Sequence, residues 1–156
     1  MTHNDVLRSI RYLLDISDAR LVDIIRLGGR EVSTPEIVAF LKKEDEAGYR
    51  ACGDEVMAHF LNGLVTYKRG TDEDRPPQQV EVPVTNNTVL KKLRAAFQLK
   101  DVDIIALCET TGLRVSKTEL SAFFRRPDHR NFRVCGDQLL RNLLKGLVSS
   151  SGRTLT

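Results

Sequence analysis

The sequence predicts an all-α protein made of two tandem copies of one four-helix unit. Three observations carry that prediction. Residues 4–65 and 87–148 align without a gap at a shift of 83 positions, with 20 identities in 62. Apolar residues recur at helical spacing, i, i+3, i+4 and i+7, almost throughout. No segment alternates as a strand would, apart from Val80-Glu81-Val82, which is too short to found a sheet.

The elements of the first copy follow in order. A first helix is expected near 5–14, with Val6, Leu7, Ile10 and Leu14 on one face. A second is expected near 18–27, apolar at Leu21, Val22, Ile24 and Ile25. Gly28 and Gly29 are expected to end it by supplying positive φ. The third begins at the capping box Ser33-x-x-Glu36, which recurs as Ser116-x-x-Glu119, with Ile37, Phe40 and Leu41 buried. Pro35 suits a first helical turn. The fourth is capped by Asp54 and buries Val56, Met57, Phe60, Leu61 and Leu64. Its counterpart buries Leu139, Leu140, Leu143, Leu144 and Leu147.

These elements divide the chain into repeat one (1–69), a linker (70–86), repeat two (87–149) and a flexible tail (150–156). The linker is acidic, holds three of the five prolines and lacks helical periodicity, so it reads as extended. About sixty residues make a marginal core on their own. The two units are therefore expected to pack in a pseudo-two-fold manner, like a fused homodimer.

Charge separates the two copies. Residues 1–70 hold ten Lys/Arg against eleven Asp/Glu, and residues 87–156 hold thirteen against six. Copies that share a fold but not a charge differ in surface and partners. The second copy concentrates Arg125, Arg126, His129, Arg130 and Arg133 before its last helix. Arg141 and Lys145 extend the cluster along that helix. Guanidinium groups bind phosphates bidentately, so this cluster is the candidate polyanion-binding site. A solvated basic face is the alternative.

The best-matched segment is the loop before the fourth helix. Asp45, Tyr49, Arg50, Cys52, Gly53 and Asp54 are echoed by Asp128, Phe132, Arg133, Cys135, Gly136 and Asp137. These residues read mainly as structural. The aspartates 54 and 137 are expected as N-caps, and the glycines are expected to permit the turn. The aromatics and cysteines are expected in the core. Asp45–Arg50 and Asp128–Arg133 are expected as loop-pinning ion pairs.

Catalytic readings find little support. The sequence has no glycine-rich phosphate loop, no metal-ligand spacing and no marked carboxylate pair, so no cofactor and no metal are expected. A Cys135–His129 nucleophile is conceivable, but a buried structural cysteine is the expected reading. Helices two and three loosely resemble a helix-turn-helix, with a turn longer than the usual three or four residues. Three cysteines without a CxxC pair argue against a disulfide framework. With no signal-like or membrane-spanning stretch, a cytoplasmic location without a membrane partner is expected.

Several runs carry a family resemblance. They are Asn-Asp-Val-Leu-Arg-Ser-Ile-Arg-Tyr-Leu-Leu at 4–14, Phe-Leu-Lys-Lys-Glu-Asp-Glu-Ala-Gly-Tyr at 40–49 and Phe-Leu-Asn-Gly-Leu at 60–64. Asn-Asn-Thr-Val-Leu-Lys-Lys-Leu-Arg at 86–94 and Arg-Arg-Pro-Asp-His-Arg-Asn-Phe-Arg-Val-Cys-Gly-Asp-Gln at 125–138 complete the set. Together they resemble the YehS-like bacterial proteins over nearly the whole chain. The resemblance implies a small bacterial protein of two duplicated domains and no assigned activity. It carries over no catalytic residue.

The functional expectation is a non-enzymatic cytoplasmic binding protein that meets nucleic acid or another polyanion through its second repeat. The alternatives are a protein–protein adaptor and, third, an enzyme with an unfamiliar site.

Overall fold

The computed structural model describes residues 1–71, 76 and 78–152. The described chain is all-α, with eight helices and no strand. It divides into two compact units, Met1–Val84 and Thr85–Thr156. Part of the expected linker (72–75 and 77) and most of the expected tail (153–156) lie outside the described residues.

The first unit holds α1 (His3–Leu14), α2 (Asp18–Leu27), α3 (Thr34–Leu41) and α4 (Asp54–Arg69). Helix α1 starts with a capping box between Thr2 and Asp5 and ends at Asp15 in the left-handed region, φ 53°. Val6, Leu7, Ile10 and Leu13 are its buried apolar residues, and Leu14 is only half-buried. Helix α2 is capped by Ser17, whose side chain accepts from the Arg20 N–H at 3.1 Å. It buries the four expected residues, Leu21, Val22, Ile24 and Ile25. Helix α3 opens at the Ser33/Glu36 box, with both reciprocal bonds present at 3.3 and 3.1 Å. It buries Ile37 and Phe40, while Leu41 is half-buried.

Helix α4 is the central element of this unit, and its apolar stripe of Val56, Met57, Phe60, Leu61 and Leu64 is buried. The α2–α4 crossing depends on two glycines. A Cβ on Gly63 would stand 1.8 Å from the Ile24 carbonyl oxygen, and one on Gly28 would stand 1.7 Å from the His59 carbonyl oxygen. No side chain fits at either place. Gly28 has φ −79°, so its value is the close approach of backbones, and the positive φ belongs to Gly29, at 98°. His59 closes the crossing, its Nδ1 2.7 Å from the Gly28 carbonyl oxygen.

Beyond α4, the chain turns back along it. The Asn62 carboxamide donates to the Gln79 carbonyl at 3.1 Å, and Gln78 Nε2 donates to the Asn62 carbonyl at 3.2 Å. Val84 is buried. Residues 78–84 are thus irregular but anchored to the first unit.

The second unit repeats the scheme with α5 (Asn86–Phe97), α6 (Asp101–Thr110), α7 (Lys117–Phe123) and α8 (Asp137–Ser150). Helix α5 ends at Gln98, φ 52°, as α1 ends at Asp15. Helix α8 buries all five expected leucines. The α6–α8 crossing again uses a glycine, since a Cβ on Gly146 would meet the Leu107 carbonyl oxygen at 2.6 Å. Asn142 stands where the first unit has His59, and Thr111 where it has Gly28. The Asn142 carboxamide donates to the Thr111 carbonyl at 3.0 Å, so the same closing bond is made with different chemistry.

Candidate nucleic-acid interface

The repeated loop motif is held by an asparagine far from it in sequence. Asn4 on α1 donates through Nδ2 to the carbonyls of Phe40 and Arg50, each at 2.9 Å, and accepts the Cys52 N–H at 3.0 Å. Asn87 on α5 does the same with Phe123 (3.0 Å), Arg133 (2.8 Å) and Cys135 (2.9 Å). Each carboxamide thereby ties the end of the third helix to both sides of the turn entering the fourth. Neutral buried polar groups need such partners, and here three main-chain groups are satisfied at once. Both asparagines appear among the repeat identities, but only the folded chain assigns them this task.

The other members of the motif take definite positions, some of them unexpected. Asp54 and Asp137 are the first helical residues of α4 and α8, and the caps are Gly53 and Gly136, without a side-chain capping bond. The aspartates bond instead to the first residue of the unit's first helix. Asp54 Oδ1 lies 2.7 Å from His3 Nε2, and Asp137 Oδ1 accepts from Asn86 Nδ2 at 2.7 Å. Acidic residues also suit the positive end of a helix dipole. Gly53 and Gly136 have φ −77°, and a Cβ on either would meet nothing within 4 Å. Glycine is not sterically required there. Tyr49 and Phe132 are half-buried rather than in the core. The Asp45–Arg50 and Asp128–Arg133 ion pairs do not form. Asp128 meets Arg126 at 3.5 Å instead, and Arg50 and Arg133 are anchored by their backbone N–H groups to Ala39 and Ala122.

Cys52, Cys108 and Cys135 are all buried free thiols. Burial pushes Cys52 and Cys135 up to about 12 and Cys108 up to about 11. Neutral, enclosed thiols are poor nucleophiles. Cys135 directs its thiol at the Gly136 carbonyl, 3.5 Å away, whereas His129 accepts from the Asn131 N–H at 3.0 Å through Nδ1. The imagined Cys135–His129 pair is therefore not assembled. Among the described residues, no three His, Cys, Asp or Glu side chains form a group able to hold a metal ion.

The basic residues separate into two sets. Arg125, Arg130 and Arg133 line one open cleft of about 490 Å³, together with Ser116, Thr118, Glu119, Ala122, Asn131 and Phe132. His129 adjoins it, its Nε2 3.4 Å from Arg125 Nη1. The Arg130 and Arg133 guanidiniums make no hydrogen bond or ion pair with any described residue. Arg126 is occupied with Asp128 outside this wall, and Arg141 and Lys145 are exposed on α8, also outside it. The matching positions of the first unit are Lys42, Ala47 and Arg50. Lys42 spends its ammonium on the Ala47 carbonyl at 2.8 Å, and Glu44, Asp45 and Glu46 offset the remaining charge. The cationic cleft therefore belongs to the second unit by composition, although both loops are anchored alike.

The turn between the two helices that loosely resemble a helix-turn-helix is long, as its sequence spacing implies. Helices α2 and α3 are joined by six residues, Gly28 to Ser33. No helix of the described chain is long and apolar enough to cross a membrane.

Comparison with known proteins agrees with the duplication. The chain is 49% identical over 149 residues to the uncharacterized protein YehS of Escherichia coli (strain K12), covering 96% of each chain. No solved structure matches it. The sequence model of the family described as "Protein of unknown function (DUF1456)" matches twice, at residues 3–70 and 86–151. Each match spans one of the helical units described above, and the chain is a member of the DUF1456 family.

Proposed function

We propose that the protein is a non-enzymatic cytoplasmic binding protein that meets nucleic acid through its second helical unit. The observation that carries this reading is the convergence of Arg125, Arg130 and Arg133 on one cleft. Converging guanidiniums with no carboxylate paired to Arg130 or Arg133 suit a ligand of repeated negative charge. The first unit, with the same scaffold and a neutralised loop, serves as the internal comparison.

Glu119 lines the same cleft and works against a phosphate placed beside it. Its carboxylate is engaged with the Ser116 N–H at 3.4 Å, and three arginines outweigh it.

The test is fluorescence anisotropy of the nuclease-treated protein with mixed-sequence DNA and RNA across a salt series. Binding should weaken steeply with salt, because each neutralised phosphate releases counterions. It should be lost in the Arg125→Glu/Arg130→Glu/Arg133→Glu variant. Absence of binding at low salt would reject the reading and leave an adaptor role as the next to test, by capture of one stoichiometric protein partner resistant to nuclease.

A further inference from the structure

The cleft contains a feature that a simple phosphate-binding patch does not need. Phe132, a half-buried aromatic side chain, lines it among the three arginines. Asn131 and Glu119 add polar groups able to hydrogen-bond the edge of a base. A volume of about 490 Å³ falls in the range of roughly 300–1,000 Å³ typical of small-ligand sites.

This arrangement bears on which form of nucleic acid the cleft suits. Reading a duplex requires a protruding helix or ribbon to enter a groove. Here the cationic residues line an open concavity, which suits a strand able to place a base inside it. Within a duplex, both faces of a base are covered by its neighbours, and only an unstacked base can offer a face to an aromatic ring. An aromatic surface surrounded by backbone-binding cations is the general design for single strands.

We propose that the cleft binds single-stranded nucleic acid, with one unstacked base against Phe132 and the adjoining phosphates on Arg125, Arg130 and Arg133. This rests on the polyanion reading above and adds a requirement for a base. The first unit keeps an aromatic at the equivalent position, Tyr49, but has Ala47 and Gly48 where the second has Arg130 and Asn131. The ring persists in both copies, and its cationic surround occurs in one.

The experiment uses the full chain and fluorescently labelled twelve-nucleotide probes at one salt concentration. These are single-stranded RNA, single-stranded DNA, the same DNA strand made abasic, and the duplex, with heparin as a base-free competitor. The single strands should bind about ten-fold tighter than the abasic strand or the duplex. Phe132→Leu, which keeps apolar bulk, should abolish that preference while weak polyanion binding persists. Phe132→Tyr, which keeps a ring, should retain it. Arg130→Glu/Arg133→Glu should lose binding to all probes.

Equal affinity for intact strand, abasic strand and duplex would overturn the single-strand proposal and leave the polyanion reading standing. A folded Phe132→Leu variant with the full preference would do the same. If circular dichroism shows that variant unfolded, the intact-against-abasic comparison on the unaltered protein decides alone. Failure of every probe to bind would remove both readings.

Discussion

Asn4 accepts the backbone N–H of Cys52 at 3.0 Å across 48 positions of sequence, and Asn87 repeats the bond to Cys135 at 2.9 Å. With the two carbonyl contacts of each carboxamide, this fastens the loop and the final helix to the first helix of each unit. Asn4→Asp keeps the size but replaces the amide donor with an acceptor, leaving the Phe40 and Arg50 carbonyls unpaired. A loss of about 3 kcal/mol in the urea unfolding of the first unit is expected. An unchanged midpoint would show that the clamp contributes nothing.

The helix crossings give a second prediction, with a built-in gradient. Gly63→Ala forces a methyl group against the Ile24 carbonyl at 1.8 Å, whereas Gly146→Ala meets the Leu107 carbonyl at 2.6 Å. Overpacking of a tight core costs about 1–3 kcal/mol or more, so Gly63→Ala should be the more damaging of the two. Gly53→Ser faces open space and replaces one good cap with another, so it should leave the melting temperature within a few degrees. Equal effects at positions 53 and 63 would contradict the close approach of α2 and α4.

The buried thiols predict the alkaline behaviour. Cys52, Cys108 and Cys135 are raised above 9.0, so the folded chain keeps their protons at a pH where the unfolded chain has released them. Their contribution to stability is therefore present below pH 9 and falls as pH rises toward about 11 and 12. Urea midpoints between pH 8 and 11 should decline, and Cys52→Ala should decline less steeply than the unaltered protein. Native labelling by a thiol-specific disulfide reagent at pH 8 should be slow for all three thiols. Rapid stoichiometric labelling would show that they are accessible.

The two loops make a fourth prediction. Reversing charge in the second, by Arg130→Glu/Arg133→Glu, should abolish polyanion binding. The matching change in the first, Lys42→Glu/Arg50→Glu, should reduce it by no more than about three-fold, because that loop is already neutralised. Equal losses from both would place binding on general charge rather than on the cleft.

Much of the scaffold was legible beforehand. Helical periodicity located the four apolar stripes, and Ser33 and Ser116 marked the start of α3 and α7 because capping is a local interaction. The misreadings have local causes too. Asp54 looks like a cap by residue type, but the chain enters the helix one residue earlier, at Gly53. Gly28 does end α2, but with φ −79°: the positive φ is Gly29's, and Gly28 is small because α4 lies against it. Leu14 fits the helical face by spacing, yet Leu13 is the residue that packs.

The long-range features left only indirect traces. The Asn4 and Asn87 clamps join residues 36 to 48 apart, and no local pattern encodes that. Their signal was identity between copies at a polar position within an apolar helix face. The equivalence of His3 to Asn86, and of His59 to Asn142, was hidden further, because the residue types differ while the bonds each makes within its own unit correspond. Among the charged residues, sequence proximity grouped seven, and the fold selected Arg125, Arg130 and Arg133 for the cleft.

The asparagine clamp grips only main-chain atoms: two carbonyls and one amide in each copy. The clamp therefore makes no demand on the identity of the side chains between its attachment points. Such a loop behaves as an exchangeable cassette on a fixed frame. In this chain one cassette carries the arginines and the other a balanced charge, each on four corresponding helices.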